Sequence, residues 1–521
     1  MLSNLLIIFK TFRTLGKTDT LRFFEEIYNP PILIKVFFKV IGFSFFKKKY
    51  SRLSPGERLT DALSKLGPAF IKLGQFLATR PDVVGEKFAK ELQKLQDEME
   101  PFDTEIAKKT LLNELGENKF KKISDFSNPV AAASIAQVHF AKITHDDGKK
   151  IIVAIKILRP NIEKIFHKEL KALRLLAWII ESLIKKTRRL KLVEVMDLLK
   201  EMSTIEMDLR YEAAAASELR KNTINDEGFK VPLVYWEFTN QRVLTIEKVE
   251  GVSIKDKDLL IKNNIDLKKI SKLLIQNFLR QAVGDGYFHG DMHQGNLFVD
   301  KKQNIIAVDF GIMGRLDEAN RRYLAEILYG FIQRDYEKVA KVHFIAGLVP
   351  KDQSIENFTH ALRTIGEPIF GLSAKNISAG KLLARLFEVT EKFNMSTQPQ
   401  LLLLQKTMVV VEGVARSLDE DANIWEISKP ILEGWLNKEI GPKNRFDKVI
   451  KTTSELIDKL PELPDMIDKM NKTMTLLNSI NMMNFQNQDH QNINRNSKNF
   501  MNKNYIIYGL ILAIIILIAV R

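Results

Sequence analysis

The stretch His289-Gly290-Asp291-Met292-His293-Gln294-Gly295-Asn296 is followed, after an apolar run, by Asp309-Phe310-Gly311. Asp291 and Asn296 stand five positions apart, and the strand-like Ile305-Ile306-Ala307-Val308 leads straight into Asp309. Two carboxylates and an amide in this order suit a phosphoryl-transfer site. One carboxylate faces the attacking hydroxyl, while the amide and the second carboxylate hold Mg²⁺ against nucleotide phosphates. Packing alone does not account for three such groups at this spacing.

The elements around the motifs read consistently with that chemistry. Residues 51–115 read as helices, with Arg58, Asp61 and Lys65 on one face and Leu59, Leu63, Leu66 and Phe70 on another, broken at Pro68 and Pro81. Residues 120–160 read instead as short strands: Ile123–Phe126, Gln137–Ile143 and Ile151–Lys156, with Asp146-Asp147-Gly148 as a hairpin turn. Residues 162–222 return to helical periodicity, Val231–Glu237 and Arg242–Val249 read as two more strands, and from Leu267 the chain is mostly helical, apart from Leu297–Val299 and Ile305–Val308. An α+β, protein-kinase-like fold of two lobes follows, with a nucleotide cleft between them. The segments expected are a membrane-proximal 1–50, a helical extension 51–118, a strand-rich lobe 119–250, a helical lobe 251–477, an Asn-rich linker 478–504 and a transmembrane anchor 505–520.

Val153-Ala154-Ile155-Lys156 closes an apolar strand, and a lysine so placed puts an ammonium on nucleotide phosphates. Alone this is weak, since many strands end in lysine; ahead of the two motifs above it becomes specific. The lysine needs a carboxylate to fix it. The run Glu206-Met207-Asp208-Leu209-Arg210-Tyr211-Glu212 offers one, and Asp208 and Glu212 can share a helix face whereas Glu206 and Asp208 cannot. A solvated acidic face is the alternative, weakened by the small Ala213–Ala216 behind it. Where a phosphate-cradling loop belongs, the chain reads Pro129-Val130-Ala131-Ala132-Ala133-Ser134-Ile135-Ala136. Alanine resists φ > 0 where glycine does not, so the loop is expected to be stiff and to sit differently over a nucleotide.

Two absences bear on the acceptor. Position 290 is Gly, where protein kinases carry an Arg that reads a phosphorylated activation loop. Only Ile312 to Leu316 separate Asp309-Phe310-Gly311 from a helix expected to begin behind an Asp317 N-cap. No segment is left to dock a peptide, so phosphorylation of protein substrates in trans by the usual route is not expected.

The chain resembles the UbiB family of atypical kinase-like proteins, the ABC/ADCK type tied to ubiquinone biosynthesis, over about residues 50 to 330, with weaker support beyond. The residues that carry the resemblance are Lys72-Leu73-Gly74-Gln75, the Ala131–Ala133 loop, Glu206-Met207-Asp208 and the two motifs above. The resemblance implies that Val130, Ala131, Ala132, Ala133, Ser134, Ile135, Ala136, Gln137 and Val138 line ATP, with Glu247 to Val249 as the hinge beside adenine. It implies that Lys156 contacts the phosphates and pairs with Glu212, that Asp291 is catalytic and that Asn296 and Asp309 bind Mg²⁺. Lys72 and Gln75 would lie on an added helical segment over the active site, near Glu206 and Asp208, in a regulatory role. Ala136 stands where many members have Gly, and Gln294 where many have Pro. The implied function is an atypical kinase or ATPase that binds Mg-ATP and supports ubiquinone synthesis at the membrane. The alternative is a catalytically weak ATP-binding scaffold for quinone intermediates or for the other ubiquinone-biosynthesis proteins.

The ends of the chain bear on location. With no Cys, disulfides and thiol chemistry are excluded. A net charge of +15 suits anionic membrane or nucleic acid, and no nucleic-acid motif accompanies it. Tyr505 to Val520 is uncharged and apolar. As a helix it covers roughly 24 Å against a hydrocarbon core of ~30 Å, so either it spans with Arg521 snorkelling or it is a buried core helix. Lys498 and Lys503 before it place the main body in the cytoplasm, at a bacterial-type inner membrane. Ile32 to Phe46, edged by Lys47–Lys49, reads as an interfacial helix or as a helix packed on the body. The expected partners are membrane lipids and quinone precursors, with no nucleic acid.

Overall fold

The computed structural model describes residues 2–20, 53–78, 100–144, 148–184, 191–370 and 398–440, with scattered positions between. It divides into two compact units, one built from residues 1–281, 287–315 and 403–422, the other from 282–286, 316–402 and 423–521.

The first unit holds the strands. β1 (Ile123–Ser124), β2 (Pro129–Ala132), β3 (Ala136–Thr144), β4 (Lys150–Leu158) and β6 (Val243–Glu247) form one antiparallel sheet in the order β1-β3-β4-β6, with β2 also on β3. β3 and β4 pair along their full length, from Ala136 opposite Leu158 to Thr144 opposite Lys150. Because strand side chains alternate, Ala141, Ile143, Val153, Ile155 and Ile157 fall on one face. There they are fully buried under Ala107 and Leu111 of the Thr104–Phe120 helix. Burying each such Val or Ile contributes about 1.5–3 kcal/mol. The opposite face carries Val138, Phe140, Ala154 and Lys156.

Helices Ile162–Leu183, Leu192–Glu206 and Leu209–Thr223 follow. A second sheet, in the order β5 (Phe229–Lys230), β10 (Ile305–Ala307), β9 (Leu297–Val299), β7 (Val252–Ser253), delivers the chain into both motifs. β8 (Tyr287–His289) pairs antiparallel with β11 (Met313–Arg315). The extension ahead of the sheet consists of helices Pro55–Leu66 and Pro68–Ala78. Ser54 and Glu57 close a capping box on the first, and Pro68 opens the second, where its missing N–H costs nothing.

The second unit contributes helices Glu318–Gln333, Tyr336–Ile345, Ile355–Phe370 and Ile424–Ile440. Asp317 caps the first of them by accepting the Asn320 N–H, as expected.

Several expectations need correction. Val231–Glu237 is not a strand: Val234 makes a single bridge to Ile246, and Trp236–Phe238 is a 3₁₀ turn. Pro232 lacks the N–H a ladder requires. The Ile123–Phe126 strand stops at Ser124 because Asp125 turns to φ +53. Asp146 and Asp147 lie outside the described residues, although the β3–β4 hairpin they join is present. Of Ile32–Phe46 only positions 32, 36 and 40 are described, each helical and exposed. The linker 478–504 and the anchor 505–520 lie outside the described residues; among those described, no helix is long and apolar enough to cross a membrane.

Candidate active site

Lys156 is the anchor of the site. It lies near the end of β4, on the face opposite the helix-covered core, and its partner on β3 is Val138. Its ammonium lies 2.9 Å from both carboxylate oxygens of Glu212 and 3.5 Å from Asp309 Oδ1. Burial alone would push the lysine pKa down; Asp309 and Glu212 reverse this and hold it well above its ordinary value. The Lys156 ammonium holds the Asp309 carboxyl below the usual range, whereas burial lifts the Glu212 carboxyl against the pull of the lysine.

Glu212 reaches Lys156 because Asp208 starts its helix. Asp208 is the N-cap, accepting the Arg210 N–H at 3.1 Å, and pairs with the Arg210 guanidinium at 2.7 Å. Its carboxylate is therefore spent on the cap and on Arg210, and Glu212, one turn in and buried, carries the contact with Lys156.

The catalytic turn is wired to the strand before Asp309 by His289. The His289 Nδ1 accepts the Asp291 N–H at 3.1 Å, so Nε2 carries the proton and donates to Val308 O at 3.3 Å. Burial pushes its pKa down, which keeps the ring neutral and preserves this tautomer. The Asn296 Nδ2 donates to Asp291 O at 3.1 Å, and Asn296 O accepts the Val308 N–H at 2.9 Å. The remaining atom of the Asn296 side-chain amide is Oδ1, an acceptor. Asp309 itself sits at φ +63, a left-handed conformation that Asp tolerates better than most residues. One amide oxygen and one carboxylate form the donor set that suits Mg²⁺, which keeps waters and phosphate oxygens in its remaining positions. The His293 ring stands 3.6 Å from the Asp291 carboxylate, a neighbour the sequence reading assigned no role.

Other anticipated residues are placed as follows. Lys72 forms an ion pair with Glu206 and lies on the Pro68–Ala78 helix, with half-buried Gln75 three residues further. The Lys72 charge also helps lower the Asp309 carboxyl, and the Glu206 charge helps raise Lys156, so this pair lies within electrostatic reach of the site. Gly74 lets that helix approach: a Cβ there would come within 2.8 Å of Leu63 and 2.9 Å of Leu95.

The alanine stretch is part strand and part turn. Val130, Ala131 and Ala132 belong to β2; Ala133, Ser134 and Ile135 form the turn; Ala136, Gln137 and Val138 begin β3. Arg159 Nε and Nη2 both donate to Ala133 O, at 3.0 and 2.9 Å, and the Ala133 N–H closes on Ala136 O at 2.7 Å. Gln137 does not face the lysine side. It lies on the helix-covered face, where it accepts the Phe102 N–H at 2.9 Å and donates to Phe102 O at 3.1 Å. The Glu247 carboxylate accepts the Leu233 N–H at 3.2 Å at the end of β6, and Val249 is half-buried just beyond. Arg159 carries no expectation from the sequence, and His289 appears there only as the first residue of its motif. An arginine following a strand carries no signal of its own, and the histidine's role depends on Val308, nineteen positions away.

Comparison with known proteins gives the family. Residues 94–343 match the ABC1 atypical kinase-like domain, and residues 362–423 match the UbiB helical domain. The chain is 38% identical over 451 residues, 86% of its length and 81% of the relative's, to the probable protein kinase UbiB of Marinobacter nauticus. It is equally identical to the probable protein kinases UbiB of Histophilus somni, over 81% of this chain and 78% of that one, and of Tolumonas auensis, over 80% and 77%.

Proposed function

The chain belongs to the UbiB family of atypical kinase-like proteins, and from that membership we propose that it binds Mg-ATP and transfers or hydrolyses its terminal phosphoryl group. The proposed setting is ubiquinone biosynthesis at the cytoplasmic face of a bacterial inner membrane. The observation that carries the chemistry is the convergence of Lys156, Glu212 and Asp309, with Asp291 and Asn296 tied to the strand entering Asp309.

In this reading Lys156, held by Glu212, offsets phosphate charge, and Asn296 with Asp309 would hold Mg²⁺. The metal, when bound, supplies electrostatic stabilisation of the transferred phosphoryl. Asp291 orients the acceptor oxygen and takes its proton. Only Ile312 to Leu316 lie between the Asp309 motif and the next helix, and part of that span is β11, paired with β8. A peptide platform is absent from that short stretch, so the acceptor we infer is small and membrane-associated, or water. Residues 505–520 are the proposed anchor, and membrane lipids, quinone precursors and the other ubiquinone-biosynthesis proteins are the proposed partners.

Asp291→Asn keeps shape and hydrogen bonding but removes the base. Turnover of Mg-ATP by the full chain should fall about 10²–10⁴-fold, with binding of a fluorescent ATP analogue unchanged. Wild-type turnover in that variant would remove Asp291 from the mechanism. Rescue of a quinone-deficient strain by Asp291→Asn as fully as by wild type would favour the scaffold reading.

A further inference from the structure

The residue between His289 and Asp291 is fixed from two directions. The Gly290 N–H donates to Ile312 O at 2.9 Å, and Gly290 O lies 3.0 Å from the hydroxyl of Thr407. Thr407 belongs to the Pro399–Leu418 helix and is only 1% exposed. The same helix explains why position 290 is glycine. A Cβ there would lie 3.0 Å from Ile312 Cγ2, 3.1 Å from Ile312 O and 3.2 Å from Leu403 Cδ2, tighter than ordinary contact on every side. The glycine is favoured by close approach, not by backbone conformation: a Cβ would push its neighbours by a few tenths of an ångström.

A second contact lies at the far end of the turn. Gln294 Nε2 donates to Ser417 Oγ at 2.9 Å, and the Ser417 hydroxyl passes its own proton to Val414 O at 2.7 Å. The helix is held in turn by the Leu267–Leu279 helix, whose Ser271 hydroxyl donates to Ala415 O at 3.0 Å in a buried setting, and by Lys257, which donates to Ser417 O at 3.2 Å. The turn carrying Asp291 thus touches one rigid element at position 290 and again at 294.

Thr407 has one hydroxyl proton and two acceptors, Leu403 O at 2.8 Å within its own helix and Gly290 O at 3.0 Å. Any helical threonine can make the first bond. The second matters here because Gly290 is buried, and a buried carbonyl deprived of its partner is costly.

We propose that the Pro399–Leu418 helix is a permanent brace for the catalytic turn, with Thr407 and Ser417 as positioning residues that fix the direction of the Asp291 carboxylate. The helix holds the turn through unmodified side chains, so the order of the turn needs no phosphorylated residue. The activity arm of the test rests on the phosphoryl-transfer reading above; the exchange arm does not.

The test uses the full chain with Thr407→Val, which keeps shape and loses the hydroxyl, Thr407→Ser, which keeps the hydroxyl, and Ser417→Ala. Two quantities are read: amide hydrogen exchange across 289–296 in nucleotide-free protein, and kcat and KM for Mg-ATP. Thr407→Val should speed exchange in the turn about tenfold, the equivalent of one net hydrogen bond. It should lower kcat by a similar factor while leaving KM unchanged, since Lys156 and Glu212 lie elsewhere. Thr407→Ser should restore both, and Ser417→Ala should show the same pattern more weakly. Unchanged exchange and kcat in Thr407→Val, or failure of serine to rescue, would overturn the brace. If wild type itself turns over no ATP, the phosphoryl-transfer reading falls and the exchange comparison still decides. If Thr407→Val does not fold, Ser417→Ala carries the same test.

Discussion

The alanine turn between β2 and β3 and the turn from His289 to Asn296, both proposed to meet the nucleotide, are held still by opposite means. The first is fixed by addition: the Arg159 guanidinium grips Ala133 O with two donors and also reaches Glu100 O at 2.9 Å. None of residues 129–136 has a positive φ, so nothing in this turn calls for glycine. The second is fixed by subtraction, since a side chain on Gly290 would crowd Leu403 and Ile312, at 3.0–3.2 Å. What a loop residue may be is therefore set by the demands of its neighbours as much as by its own flexibility.

The sharpest way to break this contrast is Gly290→Ala. Overpacking here costs about 1–3 kcal/mol, and a shift of the turn by ~1 Å lowers turnover on the order of 10²-fold. Steady-state kinetics beside thermal unfolding would measure both, and near-wild-type kcat would mean that the brace yields. Next in size is Arg159→Ala, which leaves Ala133 O and Glu100 O without their charged donor. A loss of about 1.5–3 kcal/mol is expected in urea unfolding, with faster release of a fluorescent nucleotide. An unchanged release rate would mean that Arg159 is structural support unrelated to the ligand. The smallest effect belongs to Ala133→Gly. As the turn needs no left-handed residue, glycine only adds unfolded-state entropy, costing about 0.4–1 kcal/mol. A gain in stability would show that the alanine is strained after all.

Much of this site was legible because its chemistry is written in short, ordered motifs. Lys156 at the end of an apolar strand, Asp291 five positions before Asn296, and Asp309 after an apolar strand each carry their own local signal. The pairing of Lys156 with Glu212 and the nearness of Lys72 to Glu206, across 56 and 134 positions, come from family resemblance, not from spacing; that Lys72 and Glu206 form an ion pair comes from the structure. Gln137 was misjudged as facing the nucleotide. Strand alternation puts it in phase with Ala141 and Ile143, and the phase of β3 follows from which face the Thr104–Phe120 helix covers. β8 and β11 are three residues each, too short for a period of two to declare itself. Thr407 lies inside an apolar helical run, and nothing local marks it as a partner of Gly290.

The contact between Gly290 and Thr407 joins residues 117 positions apart. During synthesis at roughly 5–20 residues per second, Gly290 is made about 6–23 s before Thr407. A nascent chain arrested after Asp309 and before the Pro399–Leu418 helix would hold every motif residue, from Lys72 to Asp309, and still lack the brace proposed for the turn. On the proposed brace, the turn around Asp291 becomes ordered late, only when residue 407 and its helix dock.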